Sequence, residues 1–112
     1  AAGNFIEATR DTPFLQIGEH KYGKPILDRA VTSGTNLVDG IKLALISMDS
    51  TLRSNLSVGM PMDLLVYRKD QLEEPSLRRI NEDDEYFLML RKHWGDAISE
   101  AHRQIPQPDW GL

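Results

Sequence analysis

The clearest pattern of apolar positions along the chain is a helical one in its middle. Five apolar residues recur at steps of four, four, three and four, which places them on one face of a helix: Leu37, Ile41, Leu45, Met48 and Leu52. Asn36 stands just before the first of them, and asparagine is a preferred residue at helix N-termini. Further apolar residues beside this stripe widen it. We therefore predict a buried helix that lies against a sheet.

A second helical pattern lies near the end of the sequence. Six residues form its apolar stripe: Phe87, Leu90, Trp94, Ala97, Ile98 and Ala101. Residues 81–84 precede the stripe and can cap the helix, and the acidic residues among 82–85 favour the helix dipole. Pro106 and Pro108 follow it, so we expect the helix to end before them.

Shorter apolar segments predict four strands and one more helix. The strands are expected over residues 4–8, 14–17, 60–67 and 77–80. Pro25 suits a first helical turn, so a helix of about ten residues should begin there and stop at residues 33–34. The order strand, strand, helix, helix, strand, strand, helix indicates an α+β fold and not a parallel sheet built from βαβ units.

Composition narrows the classes of protein. The chain has 112 residues, enough for one domain or a piece of one, so we treat residues 1–112 as a single unit. Its formal net charge of -4 argues against a nucleic-acid partner, and no apolar run is long enough to span a membrane. It has no cysteine, which removes disulfides and thiolate chemistry. The first residues lack the features of a signal peptide, so we expect a cytoplasmic protein. We also expect a fragment, because the chain lacks an initiator methionine.

The residues alone do not identify an active site. His20, His93 and His102 lack the spacing of a metal-binding helix, and the acidic residues at 73–74 and 82–85 are more typical of solvated or helix-capping groups. The glycine patterns of nucleotide-binding loops are absent. Serine and threonine hydroxyls are plentiful, but a hydroxyl becomes a nucleophile only beside a base, which spacing cannot show.

Basic residues and a terminal tryptophan are candidates for subunit contacts. Arg78 and Arg79, and a second basic stretch at residues 68–69, lie at the ends of two neighbouring predicted strands. They fit an acidic partner or a neighbouring subunit, although charges that blunt a solvated sheet edge explain them equally well. Trp110, in the tail, either docks back on the protein or meets a neighbour.

Two sequence runs resemble the Anbu family of bacterial proteasome-like proteins, which are related to proteasome β-subunits. They are residues 14–29, FLQIGEHKYGKPILDR, and residues 49–59, DSTLRSNLSVG. The resemblance extends over essentially the whole chain. It implies the C-terminal half of an N-terminal-nucleophile hydrolase, whose complete αββα fold stacks two sheets between two layers of helices. The predicted order of about four strands and three helices fits that half.

The resemblance also implies an activity for the intact protein. In the family, a threonine at the start of the mature chain attacks peptide bonds, its own α-amino group can act as base, and an acidic residue and a lysine support it. All of these would precede Ala1. We therefore expect no catalytic residue here and an inactive fragment. The implied partners are the N-terminal half, peptide or unfolded-protein substrates, and further copies of the subunit in a ring or spiral.

A few supporting positions are implied as well. A Gly-Ser-Gly turn of proteasome β-subunits is similar to Gly18-Glu19-His20, with glutamate in place of serine. An Asp-x-x-Ser pair corresponds to Ser54 and Ser57, with serine in place of aspartate. Related peptidases bind a cation through backbone carbonyls at this helix end, which would involve Thr51, Ser54 and Ser57. No other cofactor is implied.

Two functions other than peptide hydrolysis are considered for this chain. The first is a non-catalytic module that keeps the fold for self-assembly and cleaves nothing. The second is an independent adaptor domain, which has little support because half of a layered sandwich would expose an apolar sheet face.

Overall fold

Three helices and two strands form the regular structure of residues 7–16, 23–70 and 72–111, which are the residues that this computed structural model describes. In chain order they are α1 (Lys24–Ala30), α2 (Leu37–Ser54), β1 (Met62–Val66), β2 (Ser76–Ile80) and α3 (Glu85–Gln104). The chain divides into two compact units, Ala1–Glu82 and Asp83–Leu112. The first holds α1, α2 and the two strands, and the second holds α3 and its tail. The α+β class is therefore confirmed for the described residues.

Helix α1 has seven residues and is shorter than the ten expected. It contains Pro25 in its first turn and ends at Ala30, after which Val31 is extended and donates its N–H to the Leu27 carbonyl at 3.0 Å. The predicted stop at residues 33–34 is wrong by one turn. Thr32 gives the reason, because its N–H donates to the Thr35 hydroxyl at 2.9 Å and so forms a local turn in place of a helical bond.

Helix α2 begins where the sequence predicts. The Asn36 side-chain oxygen accepts the Asp39 N–H at 2.8 Å and caps the first turn. The start of the apolar stripe is only partly covered, since Leu37 remains 38% exposed. The fully buried side lies further along the helix. It consists of Leu45, Ile46, Ser47 and Asp49, of which the last two are polar.

Helices α1 and α2 meet at a glycine. A Cβ atom at Gly23 would overlap the Ser47 hydroxyl, and it would lie 3.2 Å from the Ser47 carbonyl and 3.0 Å from the Thr51 hydroxyl. Any larger residue would therefore push α1 away from α2. This close approach fixes where the α1 N-terminus sits on the middle of α2.

Strands β1 and β2 form an antiparallel hairpin, and they correspond to the strands predicted over residues 60–67 and 77–80. Met62 lies opposite Ile80 on one face, and both are buried. The alternate residues point the other way because side chains of a strand alternate between faces. That second face carries the cross-strand pairs Asp63–Arg79 and Leu65–Leu77. The Met60–Pro61 peptide bond that precedes β1 is cis.

The two other predicted strands are not formed in the described residues. Residues 7–8 and 14–16 pair with no strand of the described part of the chain. Residues 4–6 and 17 lie outside that part. The described sheet thus has two strands and not four. A run of four or five β-prone residues predicts extended backbone, but a strand also needs a neighbour that supplies its hydrogen bonds.

Helix α3 begins at a cap in the predicted place. Asp84 accepts the Phe87 N–H at 2.9 Å, and the Arg91 guanidinium lies 5.2 Å from the centre of the Phe87 ring. Only the first part of the predicted stripe is covered. Phe87 and Leu90 are buried, whereas Ile98 is 50% exposed. The helix ends at Gln104, ahead of the two prolines.

Candidate functional site

The end of α2 and the turn after it hold three of the predicted site residues. Thr51 donates its hydroxyl to the Ser47 carbonyl at 3.0 Å, and its own carbonyl accepts the Asn55 N–H at 2.8 Å. Ser57 donates both its hydroxyl, at 2.6 Å, and its N–H, at 3.0 Å, to the Asn55 side-chain oxygen. Ser54 is the last helical residue. Side-chain hydrogen bonds therefore hold the turn that follows α2.

This arrangement positions backbone and does not by itself activate a nucleophile. The Ser57 hydroxyl donates to a neutral amide, whereas nucleophilic catalysis requires a base. Within the described ranges, no three histidine or acidic side chains converge as metal ligands. The cation site on the carbonyls of Thr51, Ser54 and Ser57 stays a prediction. Gly18 and Glu19 lie outside the described residues, so their supporting role also stays a prediction.

A buried acid that was not among the predicted site residues lies one turn before this helix end. Asp49 is 1% exposed, and its Oδ2 lies 3.5 Å from Nε of Arg53. A buried carboxylate is costly unless positive or hydrogen-bonding groups compensate it. Its location inside the apolar segment 43–52 was the available signal, because charged residues are rarely buried without a partner.

The hairpin separates the two arginines that were predicted together as interface residues. Arg78 lies opposite Leu64, on the face that also holds Met62 and Ile80, whereas Arg79 lies on the other face opposite Asp63. Neighbouring residues of a strand point to opposite sides, so the two side chains cannot form one basic patch. Their predicted interface role is not tested by this placement.

Arg79 and Asp63 form a two-point ion pair across the strands. Nε of Arg79 donates to Oδ1 of Asp63 at 2.9 Å, and Nη2 donates to Oδ2 at 3.2 Å. These hydrogen bonds, and then the positive charge, lower the pKa of Asp63 from its ordinary value. The same hydrogen bonds and the carboxylate charge raise the pKa of Arg79. Both groups are fully ionised at neutral pH.

Large apolar side chains flank this ion pair. Leu65 and Leu77 lie directly opposite each other and are 63% and 69% exposed, and Tyr67 is 58% exposed. We call the surface formed by Asp63, Leu65, Tyr67, Leu77 and Arg79 the outer face of the hairpin. In the second unit, the candidate interface residue Trp110 is 77% exposed.

The first unit also contains an apolar groove of about 460 Å³ between the start of α2 and β1. Its apolar walls include Ile41, Ala44 and Leu64, and its polar lining consists of hydroxyl and amide side chains from residues 32–36 and the phenol of Tyr67. Of the described residues that line it, none supplies a carboxylate, amine or imidazole. The described lining therefore offers no acid or base group of the kind that hydrolysis needs.

Comparison with known proteins gives the family. No family model and no curated protein matches the chain. Among solved structures, Anbu from Hyphomicrobium sp. strain MC1 is 58% identical over 96% of this chain, with a TM-score of 0.89. Anbu, the ancestral beta-subunit, from Yersinia bercovieri is 53% identical over 98%, with a TM-score of 0.90. A helical assembly of the Anbu complex from Pseudomonas aeruginosa is 54% identical over 98%, with a TM-score of 0.91.

The identity and the fold together define the class as proteasome-like. Within that class the chain belongs to the Anbu family, which confirms the resemblance carried by residues 14–29 and 49–59. The chain covers 46% of each of these three relatives, so it spans about half of their length. None of the helices in the described residues is both long and apolar enough to cross a membrane.

Proposed function

We propose that the chain is the C-terminal half of a proteasome-type threonine peptidase subunit and supplies scaffold, active-site backing and subunit contacts. The observation that carries this proposal is the similarity to Anbu proteins along 96–98% of the chain, at 53–58% identity. The remaining half of such a subunit would contribute the nucleophile. Peptides or unfolded proteins would be the substrates of the intact polypeptide.

The proposed reaction of the intact polypeptide is peptide-bond hydrolysis through an acyl-enzyme. The threonine hydroxyl would attack the amide carbon while the α-amino group takes its proton, and water would then release the acyl group. The described residues would hold the backbone in position and would not take part in making or breaking bonds. The hydrogen bonds of Ser57 to Asn55, and the contact of Arg53 with Asp49, hold the end of α2 in place.

Substitutions at the supporting positions test this role. In the intact polypeptide, we expect Ser57→Ala to lower peptidase turnover about tenfold, the effect of losing one hydrogen bond worth about 1.4 kcal/mol. We expect Glu19→Ala to lower turnover as well. Sedimentation should show unchanged assembly. Ser99→Ala, at an exposed position of α3, is the matched control and should leave turnover unchanged. Unaltered turnover in both test variants would contradict the backing role.

A second candidate function is a self-assembling scaffold that cleaves no peptide. It is favoured by the Pseudomonas aeruginosa relative, which was solved as a helical assembly. On this view, Arg78→Glu, Arg79→Glu or Trp110→Ala should lower the sedimentation coefficient of the intact polypeptide, because arginine and tryptophan are enriched at the energetic centres of interfaces. A strictly monomeric wild-type polypeptide would argue against assembly altogether.

A further inference from the structure

The close contact at Gly23 lies between the two segments that carry the predicted supporting positions. Gly23 is the residue that begins α1, and the first of these segments, residues 18–20, ends three positions before it in the chain. Across the contact, Gly23 meets Ser47 and Thr51 of α2. These two residues precede the second segment, which starts where α2 ends at Ser54.

A chain of hydrogen bonds continues from this contact to Ser57. The Thr51 hydroxyl donates to the Ser47 carbonyl at 3.0 Å, and the Thr51 carbonyl accepts the Asn55 N–H at 2.8 Å. The Asn55 side-chain oxygen then accepts both the N–H and the hydroxyl of Ser57. A shift of α2 at Thr51 would therefore move the turn that holds Ser57, because each link is a short and directional bond.

The contact has no room for a side chain at residue 23. A Cβ atom there would overlap the Ser47 hydroxyl and would lie 3.2 Å from the Ser47 carbonyl, which is helix backbone. Ser47 is buried, so close packing limits how far it can move aside. Relief of the overlap needs a shift of a few tenths of an ångström. That shift is comparable with the tolerance of about 0.5 Å within which catalytic groups must be held.

We propose that Gly23 is a positioning residue for the peptidase reaction of the intact polypeptide, an inference that rests on the proposed function. Direct contact of α1 with Ser47 and Thr51 fixes the distance between residues 18–20 and the turn that holds Ser57. A residue that acts only by aligning the reacting groups changes kcat and leaves KM unchanged, because substrate binding in the ground state is the same.

Steady-state kinetics of the intact polypeptide test this role. Gly23→Ala should lower kcat about tenfold and leave KM within about twofold, since a misplacement of about 1 Å can cost about a hundredfold in rate. Turnover is counted per active site, titrated with a hydroxyl-directed peptidase inhibitor, so a smaller folded fraction does not imitate the effect. Ser47→Ala removes the overlapping hydroxyl, so the double variant Gly23→Ala/Ser47→Ala should recover most of the lost kcat.

Two control variants leave the contact intact. Gly40→Ala makes the same substitution within α2, where the added Cβ would meet only a methyl carbon of Thr35, at 4.0 Å. Asn36→Ala removes the cap at the start of α2, so it destabilises the same helix without touching Gly23. Both controls should keep the wild-type kcat per active site.

The outcomes distinguish this inference from the proposed function. If the wild type has no turnover, the proposed function fails and the positioning role fails with it. If the wild type is active but Gly23→Ala keeps its kcat, or Ser47→Ala restores nothing, or the controls lose as much, only the positioning role is overturned. A loss of kcat that Ser47→Ala restores, with unchanged controls, would establish the role.

A milder variant covers the case in which Gly23→Ala does not fold. Thr51→Val keeps the shape of the side chain and removes its hydrogen bond to the Ser47 carbonyl, which is the next link from Gly23 towards Ser57. It should lower kcat about threefold with KM unchanged. An unchanged kcat in this variant would overturn the positioning role.

Discussion

Gly23 determines how closely α1 approaches α2. Its neighbours across the contact are the Ser47 hydroxyl and carbonyl and the Thr51 hydroxyl, which itself bonds back to the Ser47 carbonyl. The Ser47 carbonyl belongs to the helix backbone and cannot move aside as a flexible side chain can. The position therefore requires the absence of a side chain.

Substitution at two glycines should have opposite effects on stability. Gly23→Ala should lower the free energy of unfolding of the intact polypeptide by about 1–3 kcal/mol through overpacking. Gly95→Ala, in α3, meets no atom within 4 Å and should raise it by about 0.5–1 kcal/mol through higher helix propensity. Urea denaturation measures both. A neutral Gly23→Ala would show that the helices are not in close contact.

The Asp63–Arg79 ion pair should make the stability of the fold depend on pH. The pKa of Asp63 is lowered in the folded state by hydrogen bonds from Arg79, so the unfolded chain binds the proton more readily. The stabilisation from this pair is present above the ordinary carboxyl pKa of about 4 and is lost as the pH falls through the lowered folded value.

Removing the Arg79 charge should move this titration. Arg79→Gln should raise the pKa of Asp63 towards its ordinary value, as measured by carboxyl carbon NMR chemical shifts against pH. Asp96 is the internal control, because its pKa is lowered mainly by the hydrogen bond from Lys92 and should not change in this variant. An unchanged Asp63 titration would contradict the ion pair.

Among the elements, the long helices and the hairpin were predictable from sequence because each carries its own signals. Apolar spacing and a capping residue identify α2 and α3, and alternation identifies β1. The strands predicted at 4–8 and 14–17 needed information that sequence periodicity does not carry, namely the strand that pairs with them. The length of α1 depended on a threonine hydrogen bond that competes with the helix.

The cap of α2 gives a test at this scale. Asn36→Ala removes the acceptor for the Asp39 N–H and should lower the free energy of unfolding by about 1 kcal/mol. Asn36→Ser keeps a capping oxygen and should lose at most a few tenths of that amount. Chemical denaturation of the two variants side by side makes the measurement. Equal losses would mean that the cap does not stabilise α2.

At the scale of the whole molecule, sequence motifs gave the family and structure gave the arrangement. The runs at 14–29 and 49–59 indicated Anbu, which the comparisons confirm. The division of Arg78 and Arg79 between two faces follows from the alternation of side chains along a strand, which the predicted strand at 77–80 already implied. The apolar segment 43–52 signalled the burial of Asp49, but how completely it is buried depends on which elements meet in space.

We propose above that this chain is half of a threonine peptidase subunit. Its most direct test is intact-mass spectrometry of the full polypeptide after treatment with a hydroxyl-directed peptidase inhibitor, followed by peptide mapping of any adduct. We expect a single adduct on an N-terminal threonine, outside the residues of this chain. A folded, assembled polypeptide that gains no adduct would contradict the peptidase account and favour the scaffold.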